Sequence, residues 1–135
     1  MTNKRLTNNT VVLVSTDDEA KIFRNMKSSG VQLEHQHALT PQDLDDDGPA
    51  GVRPPESSPR ETDEATFSKQ LSEYLYKRVH AGEIKTLVVI ADPDTLGELR
   101  PILHQEVSDI VVLEIPKTMI HASVEDIERS IKAAL

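Results

Sequence analysis

Cysteine is absent from the 135 residues. Disulfides, cysteine nucleophiles and thiolate zinc sites are therefore excluded. The five glycines form no phosphate-cradling run, and Ser15 and Thr16 stand outside any Gly-x-Ser-x-Gly elbow. No apolar run approaches the ~20 residues of a membrane span, and the basic pair Lys4-Arg5 has no apolar stretch behind it. The expectation is a cytoplasmic protein with no membrane partner. Positive charge is scarce too: 15 Lys and Arg face 23 Asp and Glu, a formal net charge of −8 with a pI near 5.0. Affinity for phosphates comes from neutralising them with Lys and Arg, so direct nucleic-acid binding is expected to be weak or absent. The length suits one domain, spanning 1–135, with a real core.

What the chain has in quantity is acid, unevenly placed. Residues 41–66 hold eight acids against Arg53 and Arg60, a net of −6 that leaves −2 for the rest. Five of the eight prolines (Pro41, Pro49, Pro54, Pro55 and Pro59) fall in the same stretch. A segment so poor in apolar residues cannot bury enough surface to offset its ordering entropy. It reads as a mobile, acidic, Pro-rich loop over about 41–61, either a solvated spacer or a partner-binding loop. In the second case Asp45, Asp46, Asp47, Arg53 and Arg60 are its candidate contacts.

On either side the pattern is regular. Thr10–Ser15 and Thr86–Ala91 are apolar without interruption at their centres, as strands covered on both faces would be. Glu19–Met26 and Val31–Leu39 complete an antiparallel meander with the first. In the latter, alternation places Val31, Leu33, His35, His37 and Leu39 on one face. Phe67, Leu71, Tyr74, Leu75 and Val79 recur at helical spacing, with Gly82 as a C′ residue. Asp109–Ile115 is a fifth strand and Ser123–Leu135 a closing helix, opened by a capping box of Ser123 and Asp126. The order βββαβαβα predicts an α/β fold: a mixed five-stranded sheet, its first and fourth strands adjacent at the centre, with helices on its faces.

Residues 87–104 raise the sharpest chemical question, because an apolar strand there runs through Asp92-Pro93 into a helix carrying Gly97 and Pro101. Ligands in α/β sheets tend to sit where a central strand hands over to a helix. Asp92 is first an N-cap, with Pro93 at the N1 position that suits proline. Pro101 removes one helical hydrogen bond and crowds Gly97, which predicts a kink or an early helix end near Leu99. A second reading pairs Asp92 with Asp17 or Asp18, beyond the first strand, as carboxylates of a metal-dependent hydrolase of RNA or nucleotides. That reading needs a third acid, and Glu73 is the available one.

The runs Thr-Leu-Gly-Glu-Leu-Arg (95–100), Leu-His-Gln-Glu-Val-Ser-Asp (103–109), Glu-Ile-Pro-Lys (114–117) and Val-Glu-Asp-Ile-Glu (124–128) closely resemble the bacterial host attachment protein family. Its members are described as required for attachment to host cells. They are similar to a divergent middle domain of eukaryotic and archaeal peptide-chain release factors. The resemblance implies a ribonuclease-H-like fold, with residues 41–61 in the place of a release factor's Gly-Gly-Gln loop. This chain has no Gly-Gly-Gln; the nearest stretch is Gly48-Pro49-Ala50-Gly51. By resemblance the partner is a protein or the ribosome.

The histidines add little chemistry. His35 and His37 at i, i+2 could pair on a metal, but nothing nearby suggests a third ligand. His104, near the expected end of a helix, suits a C-terminal capping role. No catalytic residue, cofactor or metal site is assigned. The reading is a non-catalytic binding module.

Overall fold

A computed structural model of the chain describes residues 6–47 and 59–135; the side chains of residues 45–47 and 59–66 lie outside that description. Strands β1 (Val11–Ser15) and β4 (Leu87–Ala91) are buried at all five positions. They pair in parallel from Val11↔Leu87 to Ser15↔Ala91, at the centre of the sheet. A tight turn sends β2 (Ala20–Asn25) back antiparallel to β1, and β3 (Leu33–Leu39) runs antiparallel to β2. The last strand, β5 (Val111–Ile115), is parallel to β4. The order is β3-β2-β1-β4-β5, the mixed five-stranded sheet that the element pattern predicts.

Alternating residues of the central strands feed two separate cores. Val11, Leu13, Leu87 and Val89 pack with Phe67, Leu71, Leu75, Leu96 and Val107 on one face. Val12, Val14, Val88 and Ile90 pack with Ile127 and Ile131 on the other. The first face is covered by α1 (Pro41–Asp47), α2 (Pro59–His80), α3 (Pro93–Leu99) and α4 (Gln105–Ser108), the second by α5 (Val124–Ala134). Each layer buries the apolar side of its helices against a sheet that is apolar on both faces.

Helices α1 and α4 were not foreseen, so βββαβαβα becomes βββααβααβα. The irregular loop expected over 41–61 is corrected at both ends: Pro41–Asp47 is helical, and α2 already begins at Pro59. Thr40 and Asp43 form the reason. The Asp43 carboxylate accepts from the Thr40 N–H at 2.9 Å, and Thr40 Oγ1 accepts from the Asp43 N–H at 3.3 Å, a reciprocal capping box. Leu44, 6% exposed, then anchors the short helix in the core. Residues 48–58, and with them Arg53, lie outside the described residues.

Pro101 acts as expected. Helix α3 stops at Leu99, with Arg100 as its C-cap. The helix after the break is a new one, which corrects the reading of His104. This residue is the N-cap of α4, its Nδ1 accepting from the Glu106 N–H at 3.1 Å, and its ring lies 4.1 Å from that of Tyr76. At the end of α2, Gly82 has φ +81°. Its N–H meets the Val79 carbonyl while that of Glu83 meets Arg78, the paired bonds of a Schellman motif.

The alternation in β3 also needs correction. The register with β2 shifts between Ile22 and Phe23: Ile22 pairs with His37 and Phe23 with His35. Gln36 is left over as a bulge, which reverses the facing of every residue beyond it. His35 therefore stands beside Phe23, ring centroids 5.4 Å apart, on the α5 side of the sheet. His37 stands beside Ile22 on the opposite side, and Leu33 and Leu39 enter different cores. The two histidines do not share a face and cannot share a metal ion.

Candidate functional site

Strands β1, β3, β4 and β5 all run the same way. Their carboxyl ends therefore gather at one edge, with the turn to β2, the start of α1 and the N-termini of α3 and α5. Asp92 lies one residue beyond the paired Ser15 and Ala91, and Asp17 two residues beyond. The sequence thus brings the two carboxylates of the hydrolase reading to the same end.

Their surroundings differ. Both oxygens of half-buried Asp92 are engaged, Oδ2 by the Thr95 N–H at 3.1 Å and Oδ1 by the Thr95 hydroxyl at 2.7 Å. Burial alone would raise its pKa, but the hydroxyl and backbone N–H donors at the start of α3 together hold it below the usual 3.8. The result is an anionic cap. Asp17 is exposed. Its neighbour Asp18 accepts from the Thr16 hydroxyl at 3.0 Å inside the turn.

Three other acids of this edge have side-chain partners. Asp43 holds the α1 box. Glu19 lies 3.7 Å from His121, and Asp126 pairs with Arg129 at 3.0 Å. Lys21 donates to the Ile120 carbonyl at 2.7 Å, fastening the loop before α5 to β2. Glu73 is exposed on α2. Among the described residues no group of three or more His, Asp or Glu side chains is placed to hold a metal ion. Asp92, Asp43 and Asp18 cap helices or a turn.

Helix α1 starts at this edge, directly after β3. Helix α1 is fixed to α2 by Leu44 and by Gln70, whose Nε2 donates to the Pro41 carbonyl at 3.3 Å. Asp45, Asp46 and Asp47 lie on the last turn of α1, and Arg60 on the first turn of α2. The sequence signals for α1 were present: Thr40, Pro41 at N1 and Asp43 at N3 are a start motif. Composition masked them.

Residues 9–131 match the model of bacterial archaeo-eukaryotic release factor family 12. The chain belongs to this family. Among solved structures, an archaeal protein is similar with a TM-score of 0.54 and 17% identity, over 93% of this chain and 33% of its own. An archaeal translation termination factor is similar with a TM-score of 0.50 and 16% identity, over 92% of this chain and 35% of its own. These likenesses show a shared fold. The family 12 chain spans about a third of the length of both. No curated protein matches it. Among the described residues of the family 12 protein, no helix is long and apolar enough to cross a membrane.

Proposed function

We propose that this family 12 protein is a non-catalytic binding module associated with the translation machinery, presenting the acidic segment between α1 and α2 to a partner. The observation that carries the reading is the family match over 9–131, which spans the whole sheet and the α1–α2 connection. The committed carboxylates of the carboxyl edge support it: Asp92, Asp43 and Asp18 each hold a cap or a turn. A ribosomal or other protein surface of basic character suits a segment carrying Asp45, Asp46 and Asp47. Attachment to host cells, implied by the sequence resemblance, is then an indirect consequence. Without Gly-Gly-Gln the segment lacks the residues with which a release factor enters the peptidyl-transferase centre. Gly48-Pro49 and Pro54-Pro55 also restrict the backbone where paired glycines would free it.

The test is cosedimentation with ribosomes from lysate, using the full chain and a variant in which 48–58 is replaced by a Gly/Ser linker, beside a peptidyl-tRNA release assay. Ribosome association lost in the linker variant, without release above background, is the expected result. Release activity, or association indifferent to the linker, overturns the proposal.

A further inference from the structure

The opposite, amino end of the sheet has its own architecture. Asn25, at the end of β2, is fully buried. Its Nδ2 lies 3.1 to 3.3 Å from the carbonyl oxygens of Leu6, Thr7, Lys27 and Gly30, and its Oδ1 accepts from the Gln32 N–H at 2.9 Å. One side chain therefore ties the segment before β1 to the turn before β3. Asn9 takes φ +70° there, a conformation that Asn tolerates. Its N–H reaches the Asn25 carbonyl at 2.8 Å. The left-handed turn at Gly82 brings the α2–β4 connection alongside.

Between these two connections is a cavity of about 390 Å³, within the size range of small-ligand sites. Thr7, Asn8, Asn9 and Thr86 line it with amides and hydroxyls, and Arg24 and Lys85 with positive charge. Arg24 uses Nη1 on the Asn9 carbonyl at 3.3 Å, and its other nitrogens have no partner among the described residues. Neither cation has an ion-pair partner among the described residues. Glu83, also on the lining, is held by Arg78 at 3.2 Å. Glu34, opposite Arg24 in the register, is met instead by Gln36 Nε2 at 3.4 Å. Two cations with no ion-pair partner among the described residues, in a polar hollow whose nearby carboxylates Glu83 and Glu34 meet Arg78 and Gln36, form a receptor for a compact anion.

The geometry points to a phosphate-binding site at the amino end of the sheet, with Arg24 and Lys85 as its charged ligands and the amides and hydroxyls around them completing it. It is independent of the reading of the α1–α2 segment, since α1 follows β3 at the sheet's opposite, carboxyl end. The phosphate is that of an RNA backbone or of a free nucleotide. The experiment separates these sources by titrating the full chain with a labelled single-stranded 12-mer RNA and, separately, with AMP. Wild type is compared with Arg24→Gln/Lys85→Gln and with a control, Lys117→Gln, in which the lost cation lies beyond β5 at the carboxyl edge. Denaturant melts establish that each variant is folded.

For RNA, the double change is expected to weaken binding at least tenfold. It should also flatten the salt dependence by about 1.4 in log–log slope, two contacts at about 0.7 each on a single strand. AMP binding lost in the double variant without an RNA effect assigns the same site to free nucleotides. The inference is overturned if wild type binds neither ligand at millimolar concentration, if the double variant matches wild type, or if Lys117→Gln causes the same loss.

Discussion

Replacing Asn25 should be the most damaging single polar change in the protein. Its Nδ2 offers two protons to four carbonyl oxygens at 3.1 to 3.3 Å, so two good bonds form at a time, and Oδ1 holds the Gln32 N–H at 2.9 Å. At about 1 kcal/mol net for each of three bonds, Asn25→Ala should cost about 3 kcal/mol. Water reaching the carbonyls at the partly open positions lowers this figure, and the void left behind raises it, giving a range of about 2 to 4 kcal/mol. That is a large share of the roughly 5 to 15 kcal/mol that holds a domain together. Urea melts at pH 7 should show the midpoint falling with little change in slope.

Asn25→Asp sharpens the test, because the new side chain has the same shape but opposite hydrogen-bonding character. A carboxylate there would face four carbonyl oxygens from a fully buried position, so its folded pKa must lie above the unfolded value of about 3.9. Below both values the acid is neutral and the penalty is small. As pH rises through the unfolded value stability declines, and the decline ends above the raised folded value. Asp should therefore be worse than Ala at pH 7 and better near pH 3. An Ala variant within about 0.5 kcal/mol of wild type, the spread of an ordinary surface change, would refute the account of Asn25 as the tie of this end.

Asp92→Ala should cost about 0.5 to 2 kcal/mol, the range of a lost N-cap. Since hydrogen bonds hold its folded pKa below 3.8, its contribution is complete above the unfolded value and disappears as pH falls through the folded one. Melts from pH 7 to 2 should therefore show the Ala variant converging on wild type in acid, and a constant gap would disprove the cap. Gly82→Ala should cost about 1 kcal/mol through its φ of +81° alone, because a Cβ there meets no atom within 4 Å. Thermal melts check it, and Gly82→Asn should recover part of the loss.

The strand order was legible because two uninterrupted apolar runs, Thr10–Ser15 and Thr86–Ala91, leave few topologies once connections stay short and right-handed. The break at Leu99 was legible for an equally local reason, Pro101. The bulge at Gln36 was not. Glu34 to Ala38 are all exposed, so no buried face disciplines their alternation, and an extra residue leaves no mark in the pattern. His104 was misplaced as a consequence of a correct expectation: once α3 ends, its next chance is to open α4. Asn25 carried no signal because its partners are backbone carbonyls from Leu6 to Gly30, and any sequence has carbonyls. Arg24 and Lys85 meet only through the sheet's antiparallel return and the turn at Gly82, far apart in the chain.

The net charge of −8 argued against nucleic-acid binding as a surface average, but a ligand responds to charge within a screening length. Strand β1 has five residues, about 17 Å at 3.3 to 3.4 Å each. Screening falls off over ~8 Å in physiological salt and ~30 Å at 0.01 M. Asp45, Asp46 and Asp47 follow β3 at the carboxyl end, while Arg24 and Lys85 line the cavity at the other. In physiological salt a phosphate at the amino end is therefore nearly blind to the acidic segment. At 0.01 M it is not. Changing the three aspartates to asparagine should raise RNA affinity at 0.01 M salt and leave it close to wild type at 0.15 M, as read by filter binding at both concentrations. A gain of equal size at both would mean that the acidic segment meets the RNA directly, and the two ends would then have to be treated as one surface.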